Sequence, residues 1–88
     1  MKEVKAIPGV WAEKISQRSL RGTPDILACV AGRFVAIELK KAEDEEPDTL
    51  QGLKLSRIKD CGGMAMVAYP ENKQETLALL RELARGNK

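Results

Sequence analysis

The sequence contains no histidine, and it has only one phenylalanine, one tyrosine and one tryptophan among its 88 residues. The absence of histidine excludes Ser-His-Asp and Cys-His triads, zinc sites with histidine ligands and nucleases centred on a histidine. Any catalysis must therefore use carboxylates, lysines or a metal ion held by oxygen ligands. The aromatic content of 3% predicts a core of aliphatic side chains, and a chain this short has a small margin of stability.

A long hydrophobic run is also missing, because no stretch approaches the ~18 apolar residues of a membrane span. The first five residues, Met1 to Lys5, are charged and do not form the apolar segment of a signal peptide. We therefore expect a cytoplasmic protein that forms a single domain over residues 1–88. The net charge of +2 weakly favours nucleic acid over a basic partner.

The sequence holds only two cysteines, Cys29 and Cys61, which lie in apolar stretches and do not form a CxxC pair. This placement favours buried free thiols over a disulfide or a metal site. The single tryptophan, Trp11, is expected to pack under a sheet rather than to stack on a nucleic-acid base. Because a short chain with small core side chains has little surface to bury, association with a second copy is a reasonable expectation.

Alternation of apolar residues and the positions of turn residues predict the element order α-β-β-β-α-β-α. The strand–helix–strand unit over residues 33–69 implies a parallel pair with a right-handed crossover, whereas the earlier strands should pair as antiparallel hairpins. The fold class is therefore α/β, with a mixed sheet of about four strands flanked by helices. The predicted strands cover residues 10–17, 25–30, 33–40 and 64–69, and the predicted helices cover residues 1–7, 49–61 and 72–85, the last capped by Asn72.

The predicted central hairpin brings two acidic side chains together. If Ala31-Gly32 forms a two-residue turn, Val30 pairs with Arg33. Counting back along both strands then places Asp25 directly opposite Glu38. Directly opposed side chains share a face of the sheet, with Cβ atoms ~4.5–5.5 Å apart. Two carboxylates at this separation repel one another unless a cation or a proton lies between them.

Alternation along the third strand places Lys40 on the same face as Glu38. Two carboxylates can hold Mg²⁺ or Mn²⁺, hard ions that favour oxygen ligands. Such an ion activates a water and polarises a phosphate, while a lysine can orient or deprotonate the water or stabilise the transition state. The pattern therefore fits phosphodiester hydrolysis without histidine. The alternative is that Glu38 and Lys40 form an ordinary exposed ion pair at the end of a strand.

Pro24-Asp25 followed by Glu38-Leu39-Lys40 resembles the signature of the PD-(D/E)xK nucleases, and the surrounding residues resemble its virus-type replication-repair branch, the VRR-NUC domain. The resemblance implies a restriction-endonuclease-like core and a Mg²⁺- or Mn²⁺-dependent DNA endonuclease. Stand-alone domains of this length resemble phage proteins, some of them dimeric resolvases of four-way DNA junctions. The similarity covers about residues 10–69, with matches at Arg21 to Asp25, the hairpin through Gly32-Arg33, Val35 to Lys41, Gln51, and Gly62-Gly63 before a hydrophobic strand.

The family pattern implies a role for each matching position of the site. Asp25 and Glu38 are expected to bind the metal ion together with the backbone carbonyl of Leu39. Lys40 is expected to be the catalytic lysine. Gln51, near the start of the following helix, is expected to contact a metal-bound water or the scissile phosphate.

Some of these positions also have a structural alternative. Gln51 fits the last position of a capping box that begins at Asp48. Lys14 resembles a basic residue common on the first strand of the family and would touch the phosphate, or it is a plain surface lysine. Arg33, at the hairpin tip, is more simply a solvated turn residue. The other basic side chains available to meet DNA phosphates, each adding to a salt-dependent affinity, are Arg18, Arg21, Lys41 and Lys54.

The chain departs from the family at its start, where relatives carry a longer helix with a glutamate that joins the metal site. Here only seven residues precede Pro8, and the nearest candidate, Glu3, does not have the expected spacing. The shorter helix predicts uncovered apolar surface and hence a homodimer, which would supply the two active sites that paired cutting of branched DNA requires. The acidic residues 43–46 should repel DNA, either pointing away from it or forming a loop at the entry.

Three functions are compatible with these residues. The one we favour is a structure-selective DNA endonuclease acting on four-way junctions, flaps or other branched DNA, in a bacterial host cell if the chain is phage-encoded. The second is a non-catalytic nucleic-acid-binding or assembly module, which the presence of Asp25, Glu38 and Lys40 disfavours. The third is a nuclease acting on RNA or on another phosphate substrate, which a panel of labelled substrates would distinguish.

Overall fold

The computed structural model describes residues 2–15, 23–41 and 49–86, and within them it has the predicted element order. The acidic residues 43–46, Asp48, Arg18 and Arg21 lie outside the described residues. The described helices are α1 (Lys2–Lys5), α2 (Thr49–Asp60) and α3 (Lys73–Gly86), with a short 3₁₀ helix at Pro70–Asn72. The described strands are β1 (Val10–Lys14), β2 (Ile26–Val30), β3 (Arg33–Leu39) and β4 (Met64–Ala68).

The described strands form one mixed sheet in the order β1-β2-β3-β4. β1 and β2 are antiparallel, as are β2 and β3, whereas β3 and β4 are parallel and are connected through α2. The predicted α/β fold, with antiparallel hairpins and one parallel strand added by a helical crossover, is therefore confirmed.

The turn between β2 and β3 sets the register of the sheet. Ala31 and Gly32 have φ values of 51° and 87°, positive at both central residues, as in the two-residue turns that match the twist of a hairpin. Val30 pairs with Arg33, and the register continues to Ile26 opposite Ile37. The predicted pairing is confirmed over the whole of β2.

One face of the sheet, which we call the core face, is covered by α1 and α3. It carries Ile26, Ala28 and Val30 of β2 and Val35 and Ile37 of β3, all of them buried. The helices α1 and α3 contribute aliphatic side chains to the same cluster. The helix residues in this cluster are Val4, Ile7, Leu77 and Leu80, with Leu83 and Ala84 partly buried against it.

The opposite face, which we call the site face, is covered over β4 and β3 by α2. Ile58 of α2 approaches Gly63 so closely that a Cβ there would lie 3.0 Å from Ile58 Cγ2 and 3.2 Å from Phe34 Cδ2. This contact explains the need for glycine directly before β4. Leu55 of the same helix is buried.

None of the described helices covers the site face over β1 and β2, which corrects the expectations for Trp11 and Cys29. Trp11 is 61% exposed instead of packed under the sheet. Both Cys29 and Cys61 are free thiols, as predicted, but they are exposed and not buried. The reason is that alternation assigns side chains to a face, whereas the position of α2 decides which part of that face is covered.

The start of α3 differs from the expectation that Asn72 caps it. Asn72 is the last residue of the 3₁₀ helix, and its side chain accepts a hydrogen bond from the Tyr69 amide (2.8 Å) and donates one to the Val67 carbonyl (3.0 Å). Asn72 therefore stabilises the connection after β4 and not the first turn of α3. In the described part of the chain, no helix has the length and apolar character needed to cross a membrane.

Candidate metal and catalytic site

The hairpin register places Asp25 opposite Glu38, one step beyond the last β2–β3 pair. Asp25 lies directly before β2, and its carbonyl accepts a hydrogen bond from the Ile15 amide (2.7 Å). Its carboxylate Oδ2 accepts a hydrogen bond from the Leu39 amide (2.8 Å). Backbone contacts from both neighbouring strands thus hold Asp25 beside the end of β3, as the sequence predicted.

Gln51, in the first turn of α2, connects Glu38 of β3 with Lys40, which directly follows β3. Its Nε2 donates a hydrogen bond to Oε2 of Glu38 (2.6 Å), and its Oε1 accepts one from Nζ of Lys40 (3.0 Å). Nζ of Lys40 also lies 3.7 Å from Oε2 of Glu38. The structure therefore brings Asp25, Glu38, Lys40 and Gln51 together, and Gln51 holds the side chains of Glu38 and Lys40.

Glu38 is the only buried charged residue among those described, with 3% of its surface exposed. Burial and the negative charge of Asp25 raise its pKa above the ordinary value of 4.5, against the opposing effect of Lys40. Within the described part of the chain, the buried Oε1 of Glu38 accepts no hydrogen bond. A buried carboxylate oxygen without a donor is costly, and either a proton shared with Asp25 or a bound cation would remove that cost.

The donor set of this site fits a hard divalent cation. Mg²⁺ is commonly held by one or two carboxylates and keeps several waters, and Asp25 and Glu38 supply two carboxylates on one face. The structure shows Leu39 in the site through its amide, and the metal contact of its carbonyl stays a prediction. Among the described residues, no group of three or more acidic or cysteine side chains is arranged to hold a metal ion.

Glu3 does not join the carboxylate pair. Its Oε2 lies 2.7 Å from Nζ of Lys73 in an exposed ion pair. The hydrogen bond from Lys73 lowers the pKa of Glu3. Helix α1 is four residues long, so the first helix is short, as expected.

Of the predicted DNA-binding lysines, some lie beside the carboxylates and one does not. Nζ of Lys54, on α2, donates a hydrogen bond to Oγ1 of Thr23 (3.4 Å), two residues before Asp25. Lys41 is exposed directly after Lys40. Lys14 pairs with Ile26, which belongs to the core face, so the structure does not group Lys14 with the carboxylates.

An open cleft on the site face was not predicted from the sequence. It has a volume of about 310 Å³ and is lined by Phe34, Arg57, Ile58, Cys61 and Gly63. Phe34 and Glu38 are four positions apart on β3, and this spacing, which puts both side chains on one face, was a usable signal in the sequence. The contribution of Arg57 depends on how α2 is seated, which the sequence pattern does not specify.

Comparison with known proteins found no matching family model, no matching curated protein and no matching solved structure. The function of the site is therefore inferred from its geometry and from the sequence signature. The geometry consists of two opposed carboxylates, one of them buried, and a lysine held beside them by a glutamine.

Proposed function

We propose that the chain is a Mg²⁺- or Mn²⁺-dependent DNA endonuclease of the VRR-NUC branch of the PD-(D/E)xK nucleases. Its substrate is branched DNA, such as a four-way junction or a flap, in replication, recombination or repair, and it acts in the cytoplasm of its host cell. The single observation that supports this most is the buried Glu38, which faces Asp25 and has an Oε1 atom with no hydrogen-bond donor among the described residues.

The proposed metal ligands are the carboxylates of Asp25 and Glu38 and the carbonyl of Leu39. When bound, the ion lowers the pKa of a water and polarises the scissile phosphate. The hydrogen bond from the Leu39 amide fixes one oxygen of Asp25, so this carboxylate is oriented before any ligand arrives. Such orientation reduces the reorganisation that catalysis would otherwise require.

Lys40 is the proposed catalytic lysine. Its side chain is largely buried, with 13% exposed, and its ammonium group contacts Gln51 and Glu38. A cation in this position can stabilise the negative charge that develops on the phosphate or orient the attacking water. Gln51 serves as a positioning residue, because its amide group contacts both Glu38 and Lys40.

We also propose that the protein acts as a homodimer. Next to the short α1, an apolar groove of about 450 Å³ opens beside Lys40. Leu39, at its edge, is 40% exposed. Its lining includes Val4, Ile26, Ile37, Leu39, Lys40 and Leu77. Covering this groove with a second copy would bury apolar surface, and light scattering should then give twice the 9.7 kDa of one chain.

The test of the catalytic proposal is cleavage of labelled duplex, flap, four-way-junction and RNA substrates with Mg²⁺, Mn²⁺ or EDTA. We expect metal-dependent cleavage of branched DNA and a loss of ~10²–10⁴-fold in rate for Lys40→Ala. Because the carboxylates remain, Lys40→Ala should keep the rise in melting temperature that Mn²⁺ produces in the wild type.

The matched control is Lys5→Ala, which removes an exposed lysine from α1. It should cleave at the wild-type rate. Wild-type cleavage by Lys40→Ala would contradict the assigned mechanism, and cleavage of RNA alone would contradict the assigned substrate.

A further inference from the structure

The site face carries a row of exposed side chains that crosses β1, β2 and the start of β3. Trp11 of β1 pairs with Cys29 of β2, and Cys29 pairs with Phe34 of β3. Trp11 is 61% exposed and Phe34 is 47% exposed. We call Trp11, Cys29 and Phe34 the aromatic row. Two large aromatic rings left in solvent on one sheet face indicate a binding surface.

The aromatic row lies on the same face as the carboxylate pair. Cys29 and Asp25 are four positions apart on the same chain segment, which corresponds to ~13 Å in an extended strand. Leu27, half-buried, lies between them on this face. At ~3.4 Å per stacked nucleotide, about four nucleotides would connect the two places. A nucleic-acid strand in the catalytic site can therefore reach the row.

The basic side chains on this face lie along α2. Lys54 reaches Thr23 beside the carboxylate pair, and Arg57, one turn further along the helix, lines the cleft next to the ring of Phe34. Lys54 therefore lies near the catalytic site and Arg57 lies near the aromatic row. The acidic Glu13, which is exposed on β1, lies on the far side of β2 from them. Charge therefore favours a phosphate backbone along α2, with bases toward β1.

We propose that this surface binds a single-stranded segment of the nucleic-acid substrate, with bases stacked on Trp11 and Phe34 and phosphates at Lys54 and Arg57. A positive groove combined with aromatic side chains is the usual means of binding unpaired strands without sequence preference. A duplex cannot use the row, because its bases are already stacked on one another. The inference rests on the proposed nuclease function and defines the unpaired arm of a flap or splayed end as the part that the protein recognises.

The test uses Trp11, the only tryptophan in the chain, as its own reporter. In EDTA, so that no cleavage occurs, a single-stranded oligonucleotide should quench the tryptophan fluorescence of the wild type in a saturable manner, and a blunt duplex should not. Phe34→Leu removes the ring and keeps an apolar side chain against Gly63. It should weaken the binding of single strands by about tenfold to a hundredfold.

Arg57→Ala tests the electrostatic half of the proposal. It should weaken binding and reduce the slope of log affinity against log salt by ~0.7, because the protein then neutralises one phosphate fewer. The matched control is Leu79→Ala, which truncates a side chain that is 41% exposed on α3. This variant should bind single strands as the wild type does.

Failure of this proposal is distinguishable from failure of the catalytic one. Metal-dependent cleavage without a response of Trp11 would overturn the base-stacking surface alone, whereas quenching without cleavage would overturn the nuclease and leave the surface. Equal quenching of Trp11 by a blunt duplex would also overturn the base-stacking surface. If Phe34→Leu changes the mass in light scattering without DNA, the row is a protein interface and the proposal is wrong.

Discussion

The two faces of the sheet have opposite properties although they are formed by the same strands. On the core face, Val35 and Ile37 have at most 1% of their surface exposed and pack against aliphatic helix residues. On the site face, the neighbouring Glu38 is a buried carboxylate, and Trp11 is an exposed aromatic ring. Burial of apolar groups stabilises the fold, whereas burial of a charge and exposure of a ring do not. The comparison indicates that the core face supports folding, and the exposed ring and buried carboxylate of the site face fit the binding and chemistry that we propose for it.

The largest expected effect tests the folding role of the core face. Leu80→Ala removes a side chain with 0% exposure from α3, and the cavity should cost ~2–5 kcal/mol of unfolding free energy. For 88 residues, the total stability expected at ~0.05–0.15 kcal/mol per residue is only about 4–13 kcal/mol. Urea denaturation followed by circular dichroism would measure the change.

The matched variant on the other face is Trp11→Ala, which truncates a larger but mostly exposed side chain. Its effect on the unfolding free energy should be within ~0.5 kcal/mol. If Trp11→Ala destabilises the protein as much as Leu80→Ala does, the open face contributes to folding and the division between the faces is wrong.

The division between the faces was largely predictable because strand geometry is local. The glycine in Ala31-Gly32 permits the shortest hairpin turn, and the side-chain period of two then fixes which residues share a face. The register confirms the predicted pairing from Val30 opposite Arg33 to Ile26 opposite Ile37, and one further step of the same register sets Asp25 opposite Glu38. The end of α2 before Gly62-Gly63 was equally predictable, because Gly62 has a φ of 93° that favours glycine.

The properties that the sequence did not predict depend on contacts between distant elements. The exposure of Trp11 and Cys29 follows from the seating of α2 over β3 and β4 instead of over β1. The bridge that Gln51 forms between Glu38 and Lys40 depends on the same placement. Periodicity gives the inner side of a helix but not the strands that it covers, so these contacts required the structure.

The buried carboxylate of the site face makes the stability of the protein depend on pH. Because burial and Asp25 raise the pKa of Glu38 above 4.5, the folded protein keeps this proton at pH values where the unfolded chain has lost it. The contribution of Glu38 to stability therefore falls as the pH rises from about 4.5 through the folded pKa. In EDTA, Glu38→Gln should gain melting temperature relative to the wild type as the pH rises through this range.

Addition of Mn²⁺ should raise the melting temperature of the wild type and not that of Glu38→Gln, since only a charged Glu38 can bind the ion. The wild-type melting temperature should rise with Mn²⁺ more at pH 8 than at pH 5, and Glu38→Gln should show little rise at either. Glu13→Gln, on the exposed part of the same face, is the control and should follow the wild type. A Mn²⁺ response of Glu38→Gln equal to that of the wild type would contradict the assignment of Glu38 as a metal ligand.

The smallest expected effect tests the Ala31-Gly32 turn between β2 and β3. Ala31 has a φ of 51°, a conformation that costs L-residues roughly 1–2 kcal/mol and that asparagine tolerates better. Ala31→Asn should therefore stabilise the protein by about 0.5–1 kcal/mol, and Ala31→Val, with a β-branched side chain, should destabilise it. Because the turn lies at the opposite end of the β2–β3 hairpin from Asp25 and Glu38, Ala31→Asn should leave the Mn²⁺ response unchanged. A lower urea midpoint for Ala31→Asn would contradict the argument that the positive φ of Ala31 costs stability.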